Sequence, residues 1–211
     1  MPESSTLLVF LGATFLLLVI PGPAVIYIVT RSVTQGRKAG LVSVLGIHVG
    51  TLVHIAAAIA GLSALIAASA TAFLVVKLAG AGYLIYLGFM AFRSAGEAES
   101  PSRLEPMSTR RIFWQGALVN ILNPKTALFF LAFVPQFVDP DLGSTTLQLV
   151  VLGGLFVVAG LISDSTYAVI AGAAGARFLR TASWRRGQSY VAGTIYTGLG
   201  VAAALTGGTE A

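Results

Sequence analysis

Five titratable side chains stand inside stretches that are otherwise apolar: His48, His54, Lys77, Lys125 and Asp164. Such groups are costly within a membrane and are functional candidates by default. An acid, a cation and an imidazole in those surroundings can hold the two ends of a zwitterion, carry a proton, or satisfy one another. Two backbone interruptions accompany them. Pro21-Gly22-Pro23 splits a run without charge from Leu7 to Thr30, and Asn123-Pro124 immediately precedes Lys125.

A proline inside a helix has no N–H for the carbonyl four residues back. Pro21, Pro23 and Pro124 therefore leave the carbonyls of Leu17, Val19 and Asn120 in need of other partners. Proline also drives the preceding residue out of the helical region, so Ile20, Gly22 and Asn123 should be extended. Gly22-Pro23 and Asn123-Pro124 then read as new helix starts, each a cap residue followed by proline at the first helical position. Irregular backbone within a membrane is tolerated only when buried in protein or lining a wet cavity. If both breaks face one region, their free N–H groups and positive dipole ends make a site for an anionic group such as a carboxylate. The competing reading is a pair of packing kinks satisfied by neighbouring hydroxyls or water.

Lys125 beside a helix start is disfavoured by the dipole and needs an acidic partner or an anionic ligand. Asp164 is the one acid within a span. The two residues read either as a structural ion pair or as a pair whose partners are exchanged for substrate or proton. His54 falls on the small-residue face Gly46, Gly50, His54, Ala58, Gly61, which suits close helix approach. It reads as a packing histidine or as a proton relay. His48 lies off that stripe, and the two histidines do not share a helical face, so they make no metal site by themselves. Lys77 sits close enough to a span end to snorkel.

The elements that must position these groups follow from composition. Only 10% of the 211 residues are charged and 56% are hydrophobic. Six stretches are long enough to cross a bilayer, which takes about 20 apolar residues: roughly Leu7 to Val29, Leu41 to Ala67, Thr71 to Phe92, Phe113 to Phe137, Leu147 to Ala171 and Tyr190 to Leu205. The first is expected to be a permanent helix rather than a signal peptide, because its flank carries no basic residue. Arg93 to Arg111, with Gly96, Pro101 and Pro106, is expected to be a linker. The net charge of +5 does not indicate a nucleic-acid partner. Arg31, Arg37 and Lys38 lie between spans one and two, Arg93, Arg103, Arg110 and Arg111 between three and four, and Arg177, Arg180, Arg185 and Arg186 between five and six. By the positive-inside rule those three connections are cytoplasmic and both termini lie outside. Trp114 and Trp184 fall at the same boundary. The chain has no cysteine, which excludes disulfides and thiolate metal sites.

The halves of the chain carry matching features in the same order. PGP in span one answers NPK in span four, Gly50 and His54 in span two answer Gly160 and Asp164 in span five, and an Ala-Gly pair precedes both Tyr86 and Tyr196. Three spans per half place the second half in the membrane upside down relative to the first, the inverted arrangement of many transporters. The expected fold is thus an all-α integral membrane domain over 1–211. Its six transmembrane helices form two inverted three-helix repeats, about 1–95 and 111–211, joined by a linker of about 96–110, with helices one and four broken.

PGP at Pro21 to Pro23, RSVTQGRKAGLVSVLGIHVG, KLAGAGYLIYLGFMAFRS, FWQGALVNILNPKTALFFLAFVPQFV and Asp164 together resemble the LysE/RhtB family of bacterial amino-acid exporters. The resemblance implies a small inner-membrane carrier that exports amino acids or related compounds, driven by the proton gradient and working as a dimer. It does not name the amino acid. The expected substrate-binding set is Pro21, Gly22, Pro23, Ala24, Asn123, Pro124, Lys125 and Asp164, with Asp164 and His54 handling the proton, and no metal or cofactor. A metal-cation exporter would need more oxygen or imidazole ligands than the spans offer. A non-transporting membrane subunit is the bland alternative. An enzyme is disfavoured, since no G-x-S-x-G elbow, phosphate-binding loop or H-E-x-x-H occurs.

Overall fold

The N-terminal apolar run does not make one rod. A computed structural model describes residues 3–68, 70–93, 106–174, 190, 193–195, 197–201 and 204–205, and every regular element among them is helical. Helix α1 (Ser4–Val19) stops where Pro21 forces its neighbour open, leaving Ile20 extended at φ −79°, ψ 119°. Helix α2 (Pro23–Ala68) restarts on Pro23. The Gly22 carbonyl accepts the first new helical bond, from Ile26 N at 2.9 Å.

Helix α2 folds back at Gly36, whose φ of 82° lies in the left-handed region that favours glycine. Gly40 packs on Ser32, and Ile28, Val44 and Ile47 share one apolar cluster. Residues equidistant from Gly36 therefore face each other, and segments 23–35 and 37–68 form a hairpin. This corrects the expected cytoplasmic connection at its first member. Arg31 lies on the helix before the turn and is only 1% exposed, while Arg37 and Lys38 are exposed.

Helix α3 spans Ala70–Arg93. Helix α4 (Thr109–Ile121) starts earlier than the apolar run, because Ser108 caps it by accepting from Arg111 N at 3.4 Å. Helix α5 (Pro124–Leu128) runs on through a π turn, Phe129–Phe133, and a 3-10 turn, Val134–Phe137. The axis bends by 48° between Thr109–Ile121 and Pro124–Phe137. Helix α6 (Thr145–Ala174) is uninterrupted.

The second arm of α2 lies between α4 and α6. A Cβ on Gly50 would fall 2.7 Å from the Ala117 carbonyl, so the small-residue stripe is what lets α4 approach so closely. The last described helical residues pack antiparallel on α3: the Phe92 and Tyr190 rings lie 6.2 Å apart, and a Cβ on Gly200 would fall 2.7 Å from Ala81 O.

Among the described residues Thr145–Ala173 and the stretch Pro23–Gly61, which folds back at Gly36, are long and apolar enough to cross a membrane, and the bent pair adds a third if it is one span. Ser4–Val19 and Ala81–Met90 are apolar but shorter. Large apolar side chains such as Leu8, Phe15, Leu122 and Ile162 face outward, as a lipid-facing surface requires. Most of the expected linker, residues 94–105, lies outside the described residues. So do the basic segment containing Arg177 to Arg186 and Trp184, Tyr196, and the side chain of Lys77.

Candidate functional site

Each carbonyl that the prolines deprive of a helical partner finds another. The Leu17 carbonyl accepts from Ile20 N at 3.3 Å. The Val19 carbonyl accepts from the Tyr167 hydroxyl at 2.7 Å, supplied by α6. The Asn120 carbonyl takes Asn123 N at 3.0 Å and the His54 Nε2 at 2.8 Å, supplied by α2. Each broken helix is thus held open by a side chain of a continuous one.

Both breaks border a single cavity. Gly22, Ala24 and Val25 approach it from one side and Asn123, Lys125 and Thr126 from the other, with His48, Asp164 and Phe156 between them. Its volume is about 30 Å³, room for a water or two and too little for an amino acid. Lys125 is 8% exposed and Asp164 4%. The Lys125 Nζ donates to the Ile20 carbonyl at 2.7 Å, and the Asp164 carboxylate lines the same cavity. Asp164 Oδ2 also lies 3.2 Å from His48 Nε2.

The second break is organised by two asparagines. Asn123 Oδ1 accepts from Lys125 N at 3.1 Å, the N-cap geometry. Asn120 Oδ1 accepts from Asn123 Nδ2 and Thr126 Oγ1, and Asn120 Nδ2 donates at 2.9 Å to the Ile47 carbonyl and to Thr51 Oγ1. The break is therefore tied to α2 as well as to itself.

Of the residues expected at the site, Gly22, Ala24, Asn123, Lys125 and Asp164 line the cavity. Pro21, Pro23 and Pro124 shape the backbone without lining it, and the latter two are exposed on the outside. His54 is not a lining residue and caps Asn120 instead. Sequence reasoning assigned no role to Thr51 or Asn120, and it named His48 as a titratable group within a span without placing it at the site. The asparagine carried a signal, a buried amide three residues before Asn-Pro. His48 lay off the small-residue stripe and was set below His54.

Two side-chain clusters flank the region of the cavity. Toward the basic end, Arg31 Nη1 donates to Gln35 Oε1 at 3.1 Å and Nη2 to Gln115 Oε1 at 3.3 Å, and the guanidinium lies 5.5 Å from the centre of the Tyr27 ring. Gln35 Nε2 donates to the Met107 carbonyl at 2.8 Å and its Oε1 accepts from Met107 N at 3.1 Å. Tyr27 donates to the Ile112 carbonyl at 2.9 Å. Toward the other end, Phe156 stacks among Phe129 and Phe130 with ring centres 5.1 and 5.0 Å away, and Phe10 lies 6.0 Å from Phe129. The π turn places Phe129 and Phe130 there; such turns recur at functional sites. Among the described residues no three His, Cys, Asp or Glu side chains gather to hold a metal ion.

A family model described as LysE type translocator matches residues 15–207. The homoserine/homoserine lactone efflux protein of Salmonella typhimurium is 32% identical over 178 residues, 84% of this chain and 82% of that protein. The protein of the same description from Salmonella typhi is 33% identical over the same shares. An uncharacterized membrane protein of Bacillus subtilis, YrhP, is 29% identical over 95% of this chain and 99% of its own length. No solved structure matches the chain.

Proposed function

Because this chain belongs to the LysE type translocator family, we propose that it exports amino acids or close derivatives from the bacterial cytoplasm by alternating access at the cavity between the two helix breaks. The observation that carries this reading is the sharing of one cavity by both breaks, Lys125 and Asp164. In it the carboxylate or carbonyl end of the solute lies against the helix openings after Pro23 and Pro124 with Lys125. The ammonium lies against Asp164, which otherwise takes the coupling proton. Both ends of a zwitterion are thereby matched in charge and hydrogen bonding.

Homoserine and its lactone share an ammonium and a carbonyl oxygen, whereas only homoserine has a free carboxylate. Solutes of that kind fit a site whose acid is the obligatory contact and whose cation is an adjustable one. In this reading the Arg31 cluster is the cytoplasmic barrier and the phenylalanine cluster the outer one. Loading then requires one barrier to open while the other stays shut.

Six spans in two inverted repeats, with both termini outside, fit the same picture. His54 of span two caps the break of span four, and Tyr167 of span five caps the break of span one. That reciprocity is what an axis in the membrane plane would produce.

Efflux driven by a pH gradient from vesicles preloaded with homoserine tests the role of the acid. The Asp164→Asn variant should lose efflux; unchanged proton-coupled efflux in that variant would remove Asp164 from the mechanism.

A further inference from the structure

His48 belongs to neither helix break, yet it is the residue set against the acid. Its Nε2 lies 3.2 Å from Asp164 Oδ2 and the side chain is buried. Both ring nitrogens are buried and neither makes a hydrogen bond, so the approach to Asp164 is that of an ion pair. An imidazole kept only for packing would satisfy at least one nitrogen, as His54 does through Nε2 on the Asn120 carbonyl, since an unpartnered buried polar atom costs about 1–3 kcal/mol. The ring also occupies a seat made for it. A Cβ on Gly160 would fall 2.6 Å from His48 Cε1, so α6 leaves room for the imidazole only because residue 160 is glycine.

We propose that His48 is the proton-carrying partner of Asp164, the two holding one proton between them when no solute is bound and releasing it when the solute ammonium takes the carboxylate. This rests on the reading of Asp164 as the ammonium acceptor. The reasoning is a count of charges. The charged groups that face His48 in the cavity are Asp164 on α6 and Lys125 on α5; among the described residues the other lining side chains are apolar or neutral. Tyr167, on the turn after Asp164, is held by the Val19 carbonyl.

Lys125 shares the cavity with that carboxylate. A solute ammonium and an imidazolium both within about 4 Å of each other would repel by roughly 4 kcal/mol at the effective dielectric of a protein site. One of the two must leave. Histidine is the side chain whose ordinary charge change falls near neutrality, so the proton departs from the ring to water on whichever side is open as the ammonium arrives. At the Asp164 carboxylate one cation replaces another, the solute carboxylate being met by Lys125, which makes the carrier an exchanger of proton for aminated solute.

His48→Gln separates this from a merely structural role, because glutamine is polar and of similar size but takes up no proton. The variant and the wild type are reconstituted in vesicles and given a panel of radiolabelled amino acids headed by homoserine. Two rates are measured: solute-for-solute exchange, which needs no net proton movement, and efflux driven by a pH gradient. The expected result is exchange near the wild-type rate, gradient-driven efflux reduced by at least about tenfold, and an exchange rate that no longer varies between about pH 6 and pH 8. Gradient-driven efflux that persists with the wild-type pH profile overturns the proposal. Loss of exchange in parallel with efflux also overturns it, by making His48 a structural or binding residue. A wild-type protein that exchanges none of the panel would overturn the underlying transport reading as well, an outcome distinct from either result with His48→Gln alone.

Discussion

The Lys125 ammonium crosses from one helix break to the other and donates to the Ile20 carbonyl at 2.7 Å. Ile20 is the residue that Pro21 forces into the extended region, so its carbonyl is turned away from α1 and accepts the lysine instead. The two breaks are thus coupled by a single bond. A solute carboxylate that draws Lys125 away would release the first break from the second.

Lys125→Gln should therefore discriminate between solutes. A hydrogen bond to a charged group contributes about 1.5–3 kcal/mol, so the KM for homoserine should rise by roughly tenfold or more. The KM for homoserine lactone, without a carboxylate, should change much less. Competition between the two in vesicle efflux measures the ratio, and equal changes would separate Lys125 from the carboxylate.

The caps that hold the breaks open are expected to contribute stability rather than selectivity. Tyr167→Phe leaves the Val19 carbonyl unserved and His54→Ala withdraws one donor from the Asn120 carbonyl. Each should destabilise the protein by about 1–3 kcal/mol, read as a lower Tm in detergent. A His54→Ala protein of unchanged Tm but altered pH profile would instead give His54 the proton role.

Gly160 and His48 should be coupled. Gly160→Ala drives a methyl into the imidazole and is expected to cost about 1–3 kcal/mol, the usual range for overpacking. In a His48→Ala background the same change should be close to neutral, giving a coupling energy of comparable size in a double-mutant cycle. Additive effects would mean that the ring does not sit in that seat.

The Arg31 cluster should govern access from the basic end. Arg31→Ala removes charged hydrogen bonds to Gln35 and Gln115. A loss of about 1.5–3 kcal/mol from the closed state should raise the rate at which a membrane-impermeant thiol reagent on the cytoplasmic side reaches a cysteine placed at Ala24, by about tenfold. The chain has no cysteine of its own, so the natural sequence already serves as the background. An unchanged rate would place the barrier elsewhere.

Much of this site was legible in the residues themselves. Proline chemistry located both breaks to the residue, named the stranded carbonyls of Leu17, Val19 and Asn120, and marked Asn123 as a cap. Periodicity marked the glycine stripe that lets α4 approach. The rest depended on which helices pack together, and that is not a local property. Tyr167 and His48 meet their partners only because α6 lies against α1 and α2. Arg31 was read as part of a connection between spans. The helix that starts at Pro23 runs through it and folds back only at Gly36, and the guanidinium is buried. Lys125 was expected to seek an acid or an anion, and its bond to Ile20 adds a partner that the sequence reading did not foresee, a carbonyl exposed by proline.

Protection from alkylation bears on whether both breaks belong to one solute site. Single cysteines replace Ala24 at the first break, Thr126 at the second and Lys38 on the exposed basic end, and labelling is followed with and without saturating homoserine. Slower labelling at 24 and 126 together, with no change at 38, is the expected result. Protection at neither position, or at one break alone, would contradict a shared site.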